Sequence, residues 1–420
     1  MATGRASGRT ALVMTSVEVE SIAAGGDGVA RAEGLVIFLP RTAPGDAGRA
    51  RVSVKGRFGR GAMEVLERPA PVRVPPPCEH YTRDRCGGCQ LQHMSYESQL
   101  AAKGRIIADS ITRIGRRQAT APTVTPSPNQ WRYRRKLTLA LRRRGSGWIA
   151  GLHPYDDPIG VFDLQDCPIT AEAVVAAWKD VMRGASYLPD ARELRGSLLM
   201  LGDRTSLAIE GGLAWPAAEV FFEAVPTLGS LWWTREGGSR RLMADRNADQ
   251  PPTASFAQVN AAVATMLHER VVARVTAFQP AKVVDAYAGS GETAVALASG
   301  GARITAIELD RAASRRCGAL LPEGSTAIAG KVEDHLAASL PADVVILNPP
   351  RAGVDERVTS VLRESSPSPR AIVYVSCNPA TLARDIARLP GWRIATLDAF
   401  DMFPQTAHVE TLCVLVPEAA

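Results

Sequence analysis

The chain has 420 residues, room for roughly two to three domains, and its 46% hydrophobic and 22% charged residues are those of a globular protein that buries a core without disulfide staples. Its 49 Lys and Arg against 43 Asp and Glu leave a net charge of +6, a mild bias toward a polyanionic partner. No apolar run reaches the ~18 residues of a membrane-spanning helix. No apolar leader core follows Met1–Arg9, so a cytoplasmic monomer without membrane contact is expected, and seven cysteines, an odd number, argue against a disulfide framework.

Residues 11–68 read as short alternating strands, with Gly25-Gly-Asp-Gly28 and Ala43-Pro-Gly-Asp46 as turns, which suggests a small barrel of the OB type. The proline-rich stretch 69–77 reads as a stiff spacer and a domain boundary. Residues 78–250 form a mixed α+β region. Cys78, Cys86 and Cys89 are spaced C-x7-C-x2-C, and Cys167 completes a set of four thiols. Four thiolates hold a [4Fe-4S] cluster or a structural zinc, and the three-plus-one spacing leans toward iron–sulfur. The plain alternative is chance clustering in a reducing compartment. From Trp131 to Arg144, seven basic and two aromatic residues fall in fourteen positions with no acid. Such a run is often only a solvated face. Interleaved aromatics beside a candidate barrel favour RNA, with cations on phosphates and rings on unpaired bases.

Residues 251–420 alternate strand and helix, as in a doubly wound α/β sheet. The first strand ends in Asp285-Ala-Tyr-Ala-Gly-Ser-Gly-Glu292, where Gly289 and Gly291 permit a tight turn and a close ligand approach ahead of a helix N-terminus. Glu308, 19 residues after Gly289, ends the next strand and is placed to accept from ribose hydroxyls. Ala294 stands where a dinucleotide fingerprint would carry its third glycine, which leans toward S-adenosylmethionine over NAD. Asn348-Pro-Pro-Arg351 and Ser376-Cys377-Asn378-Pro379 each follow a strand and so face the crevice at the carboxyl edge of the sheet. Cys377 is a candidate nucleophile if ionised, with the following helix N-terminus to favour the thiolate, whereas Cys317 and Cys413 read as core. Glu410, opening an apolar terminal strand, is a candidate general base of raised pKa; its bland reading is a solvated strand end.

Together these residues resemble the RNA uracil-C5 (5-methyluridine) methyltransferase family, and the likeness covers nearly the whole chain. Residues 11–68 resemble its RNA-binding TRAM barrel, and Cys86-Gly-Gly-Cys89-Gln-Leu-Gln-His-Met-Ser-Tyr96 its cluster-binding segment. Ser255-Phe-Ala-Gln-Val-Asn260 resembles the entry to its methyltransferase domain. The resemblance implies S-adenosylmethionine contacts at Gln258, Tyr287, Glu308 and Asn348 beside Gly289 and Gly291, a nucleophile at Cys377 and a base at Glu410. It also implies a Rossmann-like methyltransferase domain, with Cys78, Cys86, Cys89 and Cys167 on a [4Fe-4S] cluster. Four cysteines place the chain in the branch acting on 23S rRNA. Two departures stand out. Asn348 replaces the family's usual Asp, and the first cysteine loop is two residues longer than the common C-x5-C. A tRNA uridine-C5 methyltransferase is the nearest alternative. An adenine amine methyltransferase using Asn348-Pro-Pro, or an RNA-binding iron–sulfur protein with a degenerate cofactor site, are the others.

Overall fold

The computed structural model describes residues 12–202, 204–246 and 258–418. Ala11 of the expected barrel and Ser255–Ala257 of the expected domain entry lie outside the described residues, as does the boundary expected near residue 250.

Strands β1 (Leu12–Ile22), β2 (Gly28–Ala32), β3 (Leu35–Leu39), β4 (Ala47–Lys55) and β5 (Phe58–Arg68) close into a barrel of order β1-β2-β3-β5-β4. Strand alternation turns Val17, Val19, Ile37, Leu39, Ala50 and Val52 inward as its core, and closure leaves no unpaired edge. The expected stiff spacer is welded down. Asp46, fully buried, accepts from the Ala43 and Ala70 amides at 2.6 and 2.8 Å and from Arg73 at 2.7 and 2.8 Å. A carboxylate without water holds these donors tightly, so proline stiffness alone does not set the path of the chain.

The next segment carries α1 (Glu79–Thr82), α2 (Tyr96–Arg113) and β6 (Val124–Thr125). Sequence reading grouped it with the central region; α1 does pack there, with His80 stacked on Phe162, whereas α2 and β6 pack on the C-terminal domain. Ile107, Ile111 and Val124 share a core with Ala383, Ala399 and Val409. The Arg117 guanidinium donates to the Leu389 carbonyl at 2.7 Å and to the Trp392 carbonyl. Apolar residues recurring at helical spacing reveal a buried face but not the partner that covers it.

The central sheet comprises β7 (Lys136–Arg144), β8 (Gly147–Leu152), β9 (Phe162–Asp163), β10 (Glu193–Leu201), β11 (Arg204–Glu210), β12 (Leu228–Thr234) and β13 (Arg240–Asp245), ordered β13-β12-β11-β10-β7-β8-β9. Helices α3 (Glu172–Arg183) and α4 (Ala218–Ala224) bury one face, with Leu139, Leu141, Leu198, Leu207 and Ile209 beneath Trp178 and Phe221.

The C-terminal domain is the doubly wound fold expected. Its elements are α5 (Ala261–Thr276), β14 (Lys282–Ala286), α6 (Glu292–Ser299), β15 (Arg303–Glu308), α7 (Arg311–Leu320), β16 (Thr326–Ala329), α8 (Val332–Ser339), β17 (Val344–Leu347), α9 (Glu356–Glu364), β18 (Ala371–Ser376), α10 (Pro379–Ala387), β19 (Trp392–Phe400) and β20 (Glu410–Pro417). The sheet runs β16-β15-β14-β17-β18-β20-β19, with β20 antiparallel and β6 added beyond β19. Strands β17 and β18 are buried on both sides, hence their unbroken apolar runs. Replacing Asp46 with Ala should strand Arg73 and two amides and cost about 3 kcal/mol of folding stability, read as a lower midpoint in urea with an unchanged slope.

Candidate active site

The glycine turn after β14 carries the ligand-type geometry. Tyr287 and Ala288 donate to the Ile307 carbonyl, and Gly289 donates to Glu308 Oε2 at 2.9 Å. Glu308 Oε1 accepts from Asp310 N at 2.8 Å, so the carboxylate is oriented by backbone while each oxygen keeps a further lone pair. Gly289 has φ +57° and no atom within 4 Å of where a Cβ would stand, which leaves its open side to a ligand. Gly291 plays a different part from the one expected. At φ +90° its missing Cβ faces Cys317, 2.5 Å from the sulfur, so this glycine serves helix packing. Behind the turn, Asp285 Oδ2 is buried with no hydrogen-bond partner, and burial followed by repulsion from Glu308 pushes the Asp285 carboxyl up to about 7.

Asn348 ends the neighbouring β17, exposed, with its amide on the Ala286 carbonyl at 3.3 Å. Tyr287, Gly289, Glu308 and Asn348 therefore share one crevice at the carboxyl edge of three adjacent strands. Gln258 stands half-buried two residues before Asn260, whose side chain caps α5.

Cys377 and Glu410 are 33 residues apart in sequence and neighbours in space. Ser376 pairs with Thr411 across β18 and β20, so the next positions toward the crevice are Cys377 and Glu410. Cys377 is half-buried, immediately before the Asn378 cap of α10, and is not sealed in the core. Glu410 is buried, at 7% exposure. Arg351 reaches both. Burial, then the Glu410 charge, raises the Cys377 thiol, against a charge and hydrogen bond from Arg351. Burial pushes Glu410 up to about 8, again opposed by Arg351. Burial thus works against the thiolate that the following helix N-terminus was expected to favour, and the Arg351 guanidinium is a further counter-charge. Arg351 is the residue that sequence reading passed over. Its place in the Asn348-Pro-Pro-Arg351 loop was visible, but its reach across two strands was not. Cys317 and Cys413 are fully buried, as expected of core thiols.

Cys78, Cys86, Cys89 and Cys167 line a single cavity of about 30 Å³ with Tyr81 and Ile169. None is disulfide-bonded. Burial pushes Cys86 up to about 11 and Cys89 higher still, and the other thiols of the set raise both further. Among the described residues no group of three or more His, Cys, Asp or Glu is drawn together in a way that holds a metal ion.

The basic stretch is not an open RNA face along its length. Tyr133 is buried under the cysteine site with its hydroxyl on the Pro404 carbonyl at 3.0 Å, and Trp131 packs in the same cluster. Arg132 pairs with Asp166 at 2.8 Å, Arg142 with Glu193 at 3.0 Å, and Arg143 with Asp190 while covering the Trp148 ring. Acids distant in sequence thus pair Arg132, Arg142 and Arg143, which no local window shows.

A doubly wound sheet with a glycine turn, a ribose-type carboxylate and a strand-end thiol beside a buried acid defines a methyltransferase of the S-adenosylmethionine-dependent class, here joined to an N-terminal barrel. A family described as tRNA (uracil-5-)-methyltransferase matches residues 331–417. The chain is 31% identical to an uncharacterized RNA methyltransferase of Protochlamydia amoebophila, over 94% of this chain and 96% of that one. It is 30% identical to the 23S rRNA (uracil(1939)-C(5))-methyltransferase RlmD of Dechloromonas aromatica, over 94% and 98%. Its fold is similar to that of the Pyrococcus abyssi tRNA (uracil-54, C5)-methyltransferase solved with S-adenosyl-L-homocysteine, with a TM-score of 0.69, 24% identity, and 95% and 99% of the two chains covered. The chain belongs to the RNA (uracil-C5-)-methyltransferase family.

Removing Arg351 (Arg351→Ala) should leave both the thiol and the carboxyl without their counter-charge. The alkaline-going limb of the pH–rate profile, centred near the Glu410 value of about 8 in the unaltered protein, should move to higher pH by about one unit, and turnover at neutral pH should fall by about tenfold.

Proposed function

We propose that the chain methylates C5 of a uridine in RNA, 23S rRNA before tRNA, through a covalent bond from Cys377 to C6 of the base. The observation that carries this is the cross-strand placement of Cys377 beside a buried Glu410, both within reach of Arg351. C5 of uracil is a weak nucleophile. Addition of the Cys377 sulfur to C6 makes an enolate with electron density at C5. S-adenosylmethionine supplies an electrophilic methyl group when bound. Glu410 then takes the C5 proton, and the returning electron pair expels Cys377 from C6. Arg351 lowers the cost of thiolate and carboxylate alike. A carboxyl poised near 8 accepts a proton well but is largely protonated at neutral pH, so the rate rises with pH through that value. The target base is unpaired or flipped, since C6 of a base stacked in a duplex cannot meet the Cys377 sulfur.

The residues around the glycine turn fit the cofactor. Gly289 offers its open side, Glu308 has lone pairs free for ribose hydroxyls, and Tyr287 lies alongside. Asn348 offers an acceptor and a donor without charge, so the contact that an aspartate would make is kept in geometry and loses its charge. Gln258 completes the set as proposed from the resemblance.

The four cysteines fit a soft, cationic group. Three buried thiols and the half-buried Cys167 line one cavity, where the set raises Cys86 and Cys89, and a metal centre would offset that repulsion. We take this to be a [4Fe-4S] cluster held by Cys78, Cys86, Cys89 and Cys167, organising the fold and taking no part in methyl transfer. The ribosomal substrate is favoured by this set and by likeness to a 23S rRNA enzyme over nearly both lengths.

Cys377→Ala should abolish methylation and leave S-adenosylmethionine binding intact; retained turnover would point to amine methylation at Asn348. Glu410→Gln should trap an RNA–protein adduct that survives a denaturing gel, and normal release of methylated RNA would remove Glu410 as the base. Protein purified without oxygen should be brown and carry about four irons per chain. A colourless protein with stoichiometric zinc would overturn the cluster.

A further inference from the structure

A second feature lies on the face of the central sheet opposite α3 and α4. Along β7, Leu137, Leu139 and Leu141 point into the core, which turns Lys136, Thr138 and Ala140 the other way. Register extends that face across the sheet. Ala140, Arg195, Glu210, Thr234 and Arg240 form one rung, and Thr138, Ser197, Ala208 and Trp232 the next. The middle of this floor is small side chains, with Gly151 beside Ala140. On its β7–β8–β10 side this floor sinks into an open hollow of about 440 Å³, lined by Thr138, Ala140, Gly151, His153 and Arg195 with the carboxylates Glu193 and Glu210.

Beyond the hollow, toward β13, the same face gathers cations. Glu210 is the one carboxylate between Arg195 at 3.3 Å and Arg240 at 3.5 Å. Lys136 adds a third cation, held below the ordinary lysine value by burial and then by Arg240, Arg195 and Arg134. Arg134 joins this group, its Nε donating to the Lys136 carbonyl at 2.9 Å. The backbone is continuous too: Arg135 donates to the Val259 carbonyl at 3.0 Å, next to Gln258. Arg142, Arg143 and Arg132, the obvious cations in sequence, are paired elsewhere. Arg195 and Arg240 are paired as well, but share the single carboxylate Glu210, so with Lys136 beside them this face keeps a net positive charge.

We propose that this stripe is the track for the single-stranded RNA flanking the target uridine, with phosphates on Lys136, Arg195 and Arg240 and bases over the small-residue floor and the Trp232 ring. The occupant follows from charge and shape together. A flexible polyanion releases counterions along such a line, and an unpaired strand lies flat on a sheet where a duplex does not. The inference rests on the RNA-methylating reading above.

Fluorescence anisotropy on the full chain with labelled oligouridylates tests it. A long oligouridylate spans crevice and sheet, and one of a few nucleotides fills the crevice alone. Combining Lys136→Ala, Arg195→Ala and Arg240→Ala should weaken the long probe by about tenfold and lower its salt slope by roughly 0.7 for each lost phosphate contact. The short probe and S-adenosylmethionine should bind as before, which also reports an intact fold. Arg240→Ala alone, on the edge strand, should show about a threefold part of the loss. Equal affinity and equal slope for the unaltered and triple-substituted proteins on the long probe would overturn the track and leave the methylation reading standing. An unaltered protein that binds neither probe and methylates no RNA would overturn both.

Discussion

Catalytic geometry in this molecule depends on how one irregular loop, residues 401–409, is held, because it delivers Glu410 to the mouth of the crevice. The loop is anchored from three directions. Lys103 of α2, fully buried, pairs with the equally buried Asp401 and donates to the Phe403 carbonyl at 3.0 Å. Gln405, in the left-handed region at φ 70°, exchanges hydrogen bonds with Gln99 at 3.0 and 3.1 Å, and its carbonyl accepts from the Gln90 and Leu91 amides. Tyr133 and Asn260 hold the Pro404 and Met402 carbonyls. An unpaired Lys103 or Asp401 would be a bare charge without water, so neither partner leaves without the other. Gln90 and Leu91 directly follow Cys89. The cysteine site and Glu410 are thus two ends of one hydrogen-bonded scaffold.

The electrostatics of the crevice follow from burial opposed by a single cation. Glu410 is removed from water and so prefers its proton, which makes it a useful base near neutral pH. The same burial works against the Cys377 thiolate. Arg351 favours the charged form of both while coming from a third strand end, so the sheet order β17-β18-β20 is what assembles the site. A thiolate and a carboxylate cannot coexist cheaply side by side; burial pushes both up, and the Arg351 charge opposes it.

Barrel, cysteine segment and catalytic domain are pinned by close contacts and not strung on linkers. Gly26, at φ +90°, lies so near Gln90 that a Cβ would stand 2.4 Å from its side chain. Arg41 lays its guanidinium 3.6 Å over the Tyr81 ring and donates to the Cys86 carbonyl at 2.7 Å. Asp46 then fixes the stretch after the barrel. The barrel is therefore held in a set register to the crevice.

The doubly wound domain, the barrel strands, the glycine turn, Glu308, and the thiol and acid at strand ends were all legible in the chain itself, because each is written in local spacing: short apolar runs, turn residues, and motifs at helix starts. Local spacing does not say which distant groups meet. That Ser376 faces Thr411, that Arg351 reaches Cys377, that Tyr133 is buried while Arg195 and Arg240 join Lys136, and that α2 belongs to the C-terminal sheet are decisions of strand register and of the burial of charge. Sequence determined which chemical groups this protein carries. Tertiary structure decided which of them are neutralised and which are left free to act, because a charge finds its partner through space and not along the chain.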